Sequence, residues 1–403
     1  MEVRIPKIQL DDIIVFLLLF LSVGFVVSND IIPSSITIAI WVGLMVLILL
    51  RGISLNVPIL VVTFIALGLM LFTILLTGQS LFVFVKHAFS FLAVMIYVCN
   101  VSFQQFSKSF VRVVKFFCIV SLFGYLLHFV APQLFSFNVV ENVKGLSFSN
   151  FYIYVQWASG GFNAFRNWGF AWEPGAFATI ICLAMLIELF VFSESISFKN
   201  VALYIVTVFS TMSTMGIVAV MCLCLYITVG STSISSKVKK ITVAMILIGV
   251  VFVLLFSNVF FDLSNNSVFG KIIRFINADG QGTHDSVSIR LYSITEVFLS
   301  FLKKPLFGWG YQGLIEETYA STRGMNTCTF LNWFAVYGGF YGSLMFIGIT
   351  NFAKAISRRR VSWIITLIFI FAITMTEDYI HCPLIFILVL YGYCTNDKMA
   401  EID

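Results

Sequence analysis

Long runs of apolar residues, separated by short polar stretches, dominate the pattern of this chain. Most of these runs have the length that an α-helix needs to cross the ~30 Å hydrocarbon core of a bilayer. They are longer than the ~10-residue alternating segments that are typical of a membrane β-barrel. With boundaries soft by a few residues, the twelve segments are 13–28, 31–50, 57–77, 81–100, 112–131, 174–193, 200–212, 215–230, 239–257, 328–353, 362–376 and 381–395.

Two of the apolar stretches carry a polar knot at their centre. Residues 200–230 contain Ser-Thr-Met-Ser-Thr at 210–214, and residues 362–395 contain Thr-Glu-Asp-Tyr at 376–379. A single straight helix of either length would overshoot the ~30 Å core. We therefore predict two short or tilted helices, joined by a tight turn, in each stretch.

Lysine and arginine residues fall in alternate polar connections, and this alternation predicts the topology. Cytoplasmic loops retain these cations because they resist translocation. The pattern predicts an even number of helices with both termini cytoplasmic, and two long extracytoplasmic loops at 132–173 and 258–327. No cleavage pattern follows residues 13–27, so we expect a retained first helix. The cytoplasmic cations are Arg4, Lys7, Arg51, Lys108, Arg112, Lys115, Lys199, Lys237, Lys239, Lys240, Lys354, Arg358, Arg359, Arg360 and Lys398.

Composition agrees with a polytopic membrane protein that forms one transmembrane domain over residues 1–403. Hydrophobic residues make up 60% of the chain and charged residues 11%, whereas a soluble domain carries about 25% charged residues. The net charge of +5 is accounted for by topology and does not argue for a nucleic-acid partner. The eight cysteines lie mostly in apolar runs, where a thiol behaves as a small hydrophobe. Their spacing fits neither a metal site nor a disulfide framework.

Residues 166–174, with the sequence RNWGFAWEP, place an Arg, a Glu and a Pro where the first long loop meets the next helix. Pro174 suits the first turn of that helix, and Glu173 its N-terminus, where the helix dipole favours an anion. The guanidinium of Arg166 is suited to bidentate capture of phosphate. The structural alternative is a capped helix, an Arg that reaches the headgroups, and an interfacial aromatic belt that includes Trp168 and Trp172.

The second long loop contains an amphipathic stretch, residues 286–302, that predicts a helix lying on the membrane interface. Arg290 lies near the start of this helix, where its charge opposes the helix dipole unless an anion also binds there; the alternative is contact with headgroups. His284 and Asp285 are a candidate acid–base pair, although such a dipeptide in a polar loop is usually solvated. The apolar stripe of the helix is Leu291, Ile294, Val297, Phe298 and Phe301.

Further polar groups lie in or beside the apolar segments. Glu377, Asp378 and His381 belong to the second polar knot. A carboxylate at bilayer depth costs ~2.5–3.5 kcal/mol, so we expect these groups to face a watery cavity or an Arg, unless the turn is superficial. Lys86 and His87 lie inside the fourth segment, where they either snorkel or line a cavity, and the sequence assigns them no role.

A glycine-rich stretch at residues 308–313, GWGYQG, matches the G-x-G-x-x-G pattern of dinucleotide sites. No predicted strand precedes it and no βαβ unit surrounds it, so the match is a false positive. A tight loop that re-enters the membrane interface is the better interpretation.

Several motifs, in order, resemble the O-antigen polymerase and O-antigen ligase superfamily of polytopic bacterial glycosyltransferases. Residues 166–175 resemble the R-x-x-G-x-x-x-E-P-G entry to a helix, and 210–216 resemble a short polar turn of the family. Residues 288–290 with 304–310 are similar to an S-x-R helix followed by a P-L-x-G-x-G loop. Leu331 with 336–342 resembles the helix that follows. The resemblance covers roughly residues 160–345.

The resemblance implies an all-α polytopic membrane protein with about 12 transmembrane helices, two long extracytoplasmic loops and a GT-C-like glycosyltransferase architecture in the bacterial inner membrane. It implies transfer of a growing glycan from undecaprenyl diphosphate to a hydroxyl of the next undecaprenyl-diphosphate-linked repeat unit. The expected partners are these lipid-linked oligosaccharides and membrane lipids. A chain-length regulator protein is a candidate partner that the sequence does not identify. No cofactor, metal or nucleic acid is expected.

Under this resemblance, the reaction needs a base for the acceptor hydroxyl and cations for the departing diphosphate. Glu173 is the first choice of base, followed by Asp378 and His284. Aromatic residues of 148–172, including Trp168 and Trp172, would stack on sugar faces, and His381 would contact substrate beside Asp378. The candidate cations are Arg166, Arg290 and Arg323.

Two departures from the family patterns bear on the activity. In the ligases a His-Asn pair opens the helix after the P-L-x-G-x-G loop, and here those positions hold Thr327 and Cys328, which favours a polymerase. Some polymerases have a Gly after ten residues that follow an outer-loop Arg, whereas this chain has Phe177 and Phe301 at the two corresponding positions. A lipid-linked sugar flippase is the alternative from another class, although the chain has no internal repeat.

Overall fold

A computed structural model gives the architecture and describes residues 9–50, 52, 54–142, 145–159, 162–192, 198–230, 286–322, 326–357, 360–375 and 377–394, with isolated positions between 236 and 247. The helices before the first long loop are α1 Leu10–Val23, α2 Phe25–Ser28, α3 Ser34–Leu49, α4 Val57–Thr77, α5 Leu81–Asn100 and α6 Phe103–Val130. The later helices are α7 Pro174–Val191, α8 Phe198–Thr211, α9 Thr214–Leu225, α10 Ser286–Lys303, α11 Tyr311–Thr322, α12 Thr329–Ile356, α13 Arg360–Thr374 and α14 Pro383–Tyr391.

Five of the described helices are long and apolar enough to cross a membrane by length and composition: α4, α5, α6, α7 and α12. Shorter apolar helices lie at Ser34–Leu49, Thr214–Thr228 and Trp363–Thr374. A mostly helical, multi-pass membrane protein is therefore confirmed, whereas the prediction of twelve spans stays a prediction. The apolar segment at 239–257 lies largely outside the described residues.

Local sequence signals explain several helix boundaries. Helix α4 begins after Asn56, whose side chain accepts a hydrogen bond from the Ile59 amide at 3.4 Å, and it ends at Gly78, which has a φ of 67°. Helix α6 begins nine residues before the predicted segment because Ser102 and Gln105 form a reciprocal capping box. The polar knot at 210–214 separates α8 from α9, and the knot at 376–383 separates α13 from α14, as predicted.

The first predicted helix is interrupted at Gly24, which has an extended conformation between α1 and α2. An extended segment, residues 170–172, pairs with this break. The Phe25 amide donates to the Phe170 carbonyl at 2.8 Å, and the Trp172 amide donates to the Val23 carbonyl at 3.1 Å. These bonds satisfy backbone groups that the interruption removes from the helical ladder.

Helix α12 is interrupted in the same manner at Gly338, which has φ 84° and ψ 175°. The GWG loop lies against the interruption, as the Trp309 amide donates to the Ala335 carbonyl and the Gly310 amide to the Val336 carbonyl, both at 2.9 Å. An added Cβ on Gly308 would lie 2.3 Å from the Val336 carbonyl oxygen. Glycine is therefore required at this position by a close approach of two backbones.

The segment predicted as the first long loop, residues 132–173, contains more regular structure than a loop. Three short strands, β1 Val139–Glu141, β2 Ser147–Asn150 and β3 Val155–Trp157, form an antiparallel sheet in the order β1-β2-β3. Trp168 packs in an aromatic cluster on this sheet, with its ring 5.0 Å from Phe148 and 5.7 Å from Trp157. The loop is thus a small folded unit whose end, residues 170–172, reaches α1.

The predicted amphipathic helix of the second long loop is present as α10. Val297 is fully buried, whereas Phe298 is 46% exposed, so the predicted apolar stripe is only partly a packing face. The helix packs against α11 and α12. Its location at the membrane interface stays a prediction.

Replacing Gly338 by Ala should lower the free energy of unfolding by about 1–3 kcal/mol or more, because its backbone conformation is essentially restricted to glycine. An added Cβ would also lie 2.0 Å from the Leu306 carbonyl oxygen. Thermal unfolding in detergent, followed by tryptophan fluorescence, measures the effect. Gly68→Ala is the matched control, since nothing lies within 4 Å of its added Cβ. Equal melting temperatures for the two variants would contradict the packing described at Gly338.

Candidate functional site

A cavity of about 170 Å³ lies beside the interruption between α1 and α2, against α3, α5 and the 377–383 turn. Trp172, the last residue of the segment that pairs with the Gly24 interruption, and Tyr311, directly after the GWG loop, both line it. The turn contributes Asp378 and His381. The other lining residues are Leu21, Ser22, Val27, Ser28, Thr37, Trp41, Lys86, His87, Ser90, Ile380, Cys382 and Pro383.

Asp378 is half-buried and its carboxylate is held from three sides. Oδ1 accepts hydrogen bonds from the Asn332 side chain at 3.3 Å and from the Ile380 amide at 3.1 Å, and Tyr311 donates to the same carboxylate. Burial raises the pKa of Asp378 to about 6, and these hydrogen bonds oppose the rise. A carboxylate with this pKa can exchange protons near neutral pH.

The backbone around Asp378 is anchored to the start of α12. The Thr329 hydroxyl donates to the Glu377 carbonyl at 2.8 Å and accepts from the Tyr379 amide at 2.9 Å. Asn332 lies one turn further along the same helix and is 1% exposed. Two residues of one helix therefore set both the path of the turn and the orientation of its carboxylate.

The two histidines of the cavity stack on each other. The rings of His87 and His381 lie 3.8 Å apart and 16° from parallel, and the Tyr337 hydroxyl forms a hydrogen bond with Nε2 of His381. Burial, then the neighbouring His87 and Lys86, lower the pKa of His381 well below its ordinary value, so this imidazole is neutral. Among the described residues, no three His, Cys, Asp or Glu side chains cluster as metal ligands do.

Lys86 contributes a cation to the cavity wall. Its Nζ lies 3.7 Å from Oδ1 of Asp30, in the turn between α2 and α3. Asp30 has a φ of 52°, a conformation that Asp tolerates better than most residues. Its side chain is 61% exposed, and that of Lys86 is 27% exposed.

Glu173 precedes α7, at the N-terminal position that the sequence predicts. It is half-buried and does not line the cavity. Trp172, the residue before Glu173, lines the cavity. Its ring lies 5.6 Å from that of Tyr379. Glu377 lies against the first turn of α7, since an added Cβ on Gly175 would be 2.7 Å from Oε1 of Glu377. Two carboxylates therefore gather at the N-terminus of α7, where the dipole favours negative charge.

Arg166 anchors the first loop to the turn between α8 and α9. Its Nε donates to the Thr211 carbonyl at 3.1 Å, and the residue is 8% exposed. The neighbouring Asn167 donates to the Ser210 hydroxyl at 2.9 Å. Neither Arg166 nor Trp168 lines the cavity, so the structure separates these two predicted site residues from Trp172, Asp378 and His381.

Three further predicted site residues are Arg290, His284 and Arg323. Arg290 belongs to α10, but its side chain lies outside the described part of the chain. His284 and Arg323 also lie outside the described residues.

Sequence reasoning missed Tyr311, Asn332 and Tyr337 as neighbours of the candidate site. Tyr311 lies within the glycine-rich stretch that was interpreted only as a tight loop, and a search for polar residues adjacent to that loop would have found it. Asn332 and Tyr337 lie in an apolar helix without a charge to mark them. Lys86 and His87 were noticed as intramembrane polar residues, and the structure selects the cavity-lining alternative.

Residues 200–346 match the protein-family model described as O-Antigen ligase. This match confirms the resemblance to the O-antigen polymerase and ligase superfamily. Comparison with curated proteins and with solved structures gave no match. Together with the apolar helices, the match supports a multi-pass membrane enzyme of O-antigen biosynthesis, and both polymerase and ligase are compatible with it.

Replacing Tyr311 by Phe should raise the pKa of Asp378 above about 6, because it removes a hydrogen bond that stabilises the charged carboxylate. Infrared titration of the carboxyl band measures this pKa, with Asp378→Asn used to assign the band. Tyr319→Phe is the matched control on α11, since Tyr319 is 62% exposed. An Asp378 carboxyl group that titrates at the same pH in wild type, Tyr311→Phe and Tyr319→Phe would contradict the role given to Tyr311.

Proposed function

We propose, on the premise that this chain is a member of the O-antigen polymerase and ligase superfamily, that it is a polysaccharide polymerase of the bacterial inner membrane. Its substrates are two undecaprenyl-diphosphate-linked glycans. A hydroxyl of the incoming repeat unit attacks the anomeric carbon of the growing chain. The new glycosidic C–O bond forms as the bond between that carbon and the diphosphate oxygen breaks. Undecaprenyl diphosphate leaves, and the proton of the hydroxyl passes to a base.

The observation that carries the proposal is the oriented carboxylate of Asp378 in a cavity that also presents an aromatic face. The carboxylate is held by Asn332 and Tyr311, with a pKa raised by burial to about 6. A base with this pKa is unprotonated at neutral pH and still basic enough to accept a proton during attack. The ring of Trp172, which lines the same cavity, is suited to stacking on a sugar.

Asp378 is therefore the preferred base, and Glu173 is the second candidate. Glu173 precedes α7 and lies outside the cavity lining, so it is further from the proposed substrate site than Asp378. His284 stays a sequence-based candidate. Arg166, Arg290 and Arg323 stay candidates for stabilising the leaving diphosphate, since a guanidinium can form two hydrogen bonds with phosphate.

The O-antigen ligase activity is the nearest alternative, since the matched family model carries that description. A ligase would transfer the finished glycan to the lipid A core. The absence of a His-Asn pair at Thr327 and Cys328, at the beginning of α12, argues for the polymerase.

A lipid-linked sugar transporter is the alternative from another class. The interruption at Gly24, with Ser22 and Val27 lining the cavity, favours it, because interrupted helices often form transporter binding sites. Chain elongation by the purified protein in detergent, where no gradient exists, would exclude a role limited to transport.

Asp378→Asn should lower the rate of polymer formation by about 10²–10⁴-fold, the usual contribution of a general base. Since the carboxylate must be unprotonated, the wild-type rate should rise with pH through about 6 and fall tenfold per unit below it. Gel analysis of lipid-linked chain length with purified protein measures both effects. Glu317→Gln, which removes a carboxylate paired with Lys303, is the control. An Asp378→Asn enzyme with a wild-type rate would remove Asp378 as the base.

A strain that lacks the gene should place a single repeat unit on the lipid A core, because a separate ligase would still transfer the unpolymerised unit. Electrophoresis of its lipopolysaccharide measures this outcome, with the complemented strain as control. A core that carries no glycan would instead identify the ligase. A strain with long chains of normal abundance would contradict both activities.

A further inference from the structure

We propose that Lys86 forms the diphosphate subsite of the cavity and binds the anionic head of a lipid-linked glycan whose apolar chain runs along the outside of α5. This inference deepens the proposed function and rests on it. It adds a cation from α5, outside the matched residues 200–346, to the cavity that contains Asp378 and Trp172.

The charge distribution of the cavity supports an anionic ligand at Lys86. Among the described residues that line it, Lys86 is the one Lys or Arg. Asp378 also lines the cavity, so a base and a cation share one small volume. The proposed reaction requires both, since the acceptor hydroxyl loses a proton while the leaving group gains negative charge.

The existing partner of Lys86 is one that a phosphate can replace. The 3.7 Å between Nζ and Oδ1 of Asp30 exceeds the 2.7–3.2 Å of a direct N–H···O hydrogen bond. Asp30 is largely exposed, and exposed ion pairs contribute little to stability. An ammonium also has three donors, so Lys86 can bind phosphate oxygens without disruption of the fold.

The surface next to Lys86 fits the lipid part of the ligand. Phe82 and Val83, four and three residues earlier on α5, lie on the same side of the helix as Lys86. They are 54% and 42% exposed. The helix therefore presents a cavity-lining cation and an exposed apolar surface next to each other. A free phosphate would use only the first of these features, whereas a polyprenyl diphosphate would use both.

Binding measurements on the full-length protein in detergent test the subsite without turnover. The probes are inorganic pyrophosphate, a polyprenyl diphosphate and phosphatidylglycerol, each titrated by calorimetry. Wild type should bind the polyprenyl diphosphate more tightly than the other two probes. Lys86→Ala should weaken that binding about tenfold or more, as expected for loss of a hydrogen bond to a charged group. Lys86→Arg should retain most of the affinity.

Two further variants sharpen the test. Asp30→Asn should bind the polyprenyl diphosphate more tightly than wild type, because Lys86 then has no competing carboxylate. Lys303→Ala, which removes a cation paired with Glu317, should leave the affinity unchanged. Equal affinities of wild type and Lys86→Ala would overturn the proposal. Phosphatidylglycerol binding as tight as that of the polyprenyl diphosphate would also overturn it, since the site would then recognise lipid headgroups in general.

Kinetics separate this inference from the proposed function. If wild-type protein elongates chains and Lys86→Ala keeps the same KM for the lipid-linked substrates, the subsite proposal is wrong and the polymerase proposal is supported. If wild type binds the polyprenyl diphosphate through Lys86 but forms no polymer from lipid-linked repeat units, the subsite proposal is supported and the polymerase proposal is wrong. An increase in KM of about tenfold with Lys86→Ala, reversed by Lys86→Arg, supports both.

Discussion

The pairing of backbone groups at two helix interruptions is the constraint on which the described structure depends. A helix that breaks inside a protein leaves amide and carbonyl groups without their partners four residues away, and burying them unpaired is costly. At Gly24 the partners come from residues 170–172, and at Gly338 they come from residues 305–310. Irregular backbone at membrane depth is tolerated where protein buries it or where it lines a cavity. Both interruptions lie in protein interior, since Val23 and Phe25 beside Gly24 and Tyr337 beside Gly338 are buried.

This constraint explains why two motifs that look unrelated in sequence have equivalent structural roles. Residues 170–172 and 308–311 each include backbone amides that donate to carbonyl groups at or beside a helix interruption, and each segment leads into the next helix. Each delivers an aromatic side chain to the cavity, Trp172 from the first and Tyr311 from the second. The rigid pairing fixes these side chains more firmly than a free loop would. A cavity built on fixed backbone can orient its polar groups before a substrate arrives.

The polar groups of the cavity differ in charge because their surroundings differ. Asp378 receives three hydrogen bonds, which limit the rise in its pKa that burial causes. His381 has a neighbouring imidazole and a nearby ammonium, and both add to burial in holding it neutral. Lys86 lies at the exposed edge, next to Asp30. A single cavity can thus hold an ionisable base, a neutral ring and a cation without one neutralising another.

The sequence by itself determined the class of the molecule and many helix boundaries. Apolar runs of membrane-spanning length, capping residues such as Asn56 and Ser102, and polar knots act locally, so they can be recognised without knowledge of distant contacts. The ordered motifs also indicated the resemblance to the O-antigen polymerase and ligase superfamily, and Trp172, Asp378 and His381 were among the predicted site residues. Only the tertiary structure decided that α1 and α12 are interrupted, that the first long loop contains a sheet, and that Lys86 and His87 share a cavity with Asp378. It also separated Arg166 from that cavity. The pairing at the α1 interruption and the shared cavity depend on contacts between residues more than a hundred positions apart, such as Val23 with Trp172 and His87 with His381. Local patterns carry no information about such pairs, because each member satisfies its own segment's pattern equally well in many other arrangements.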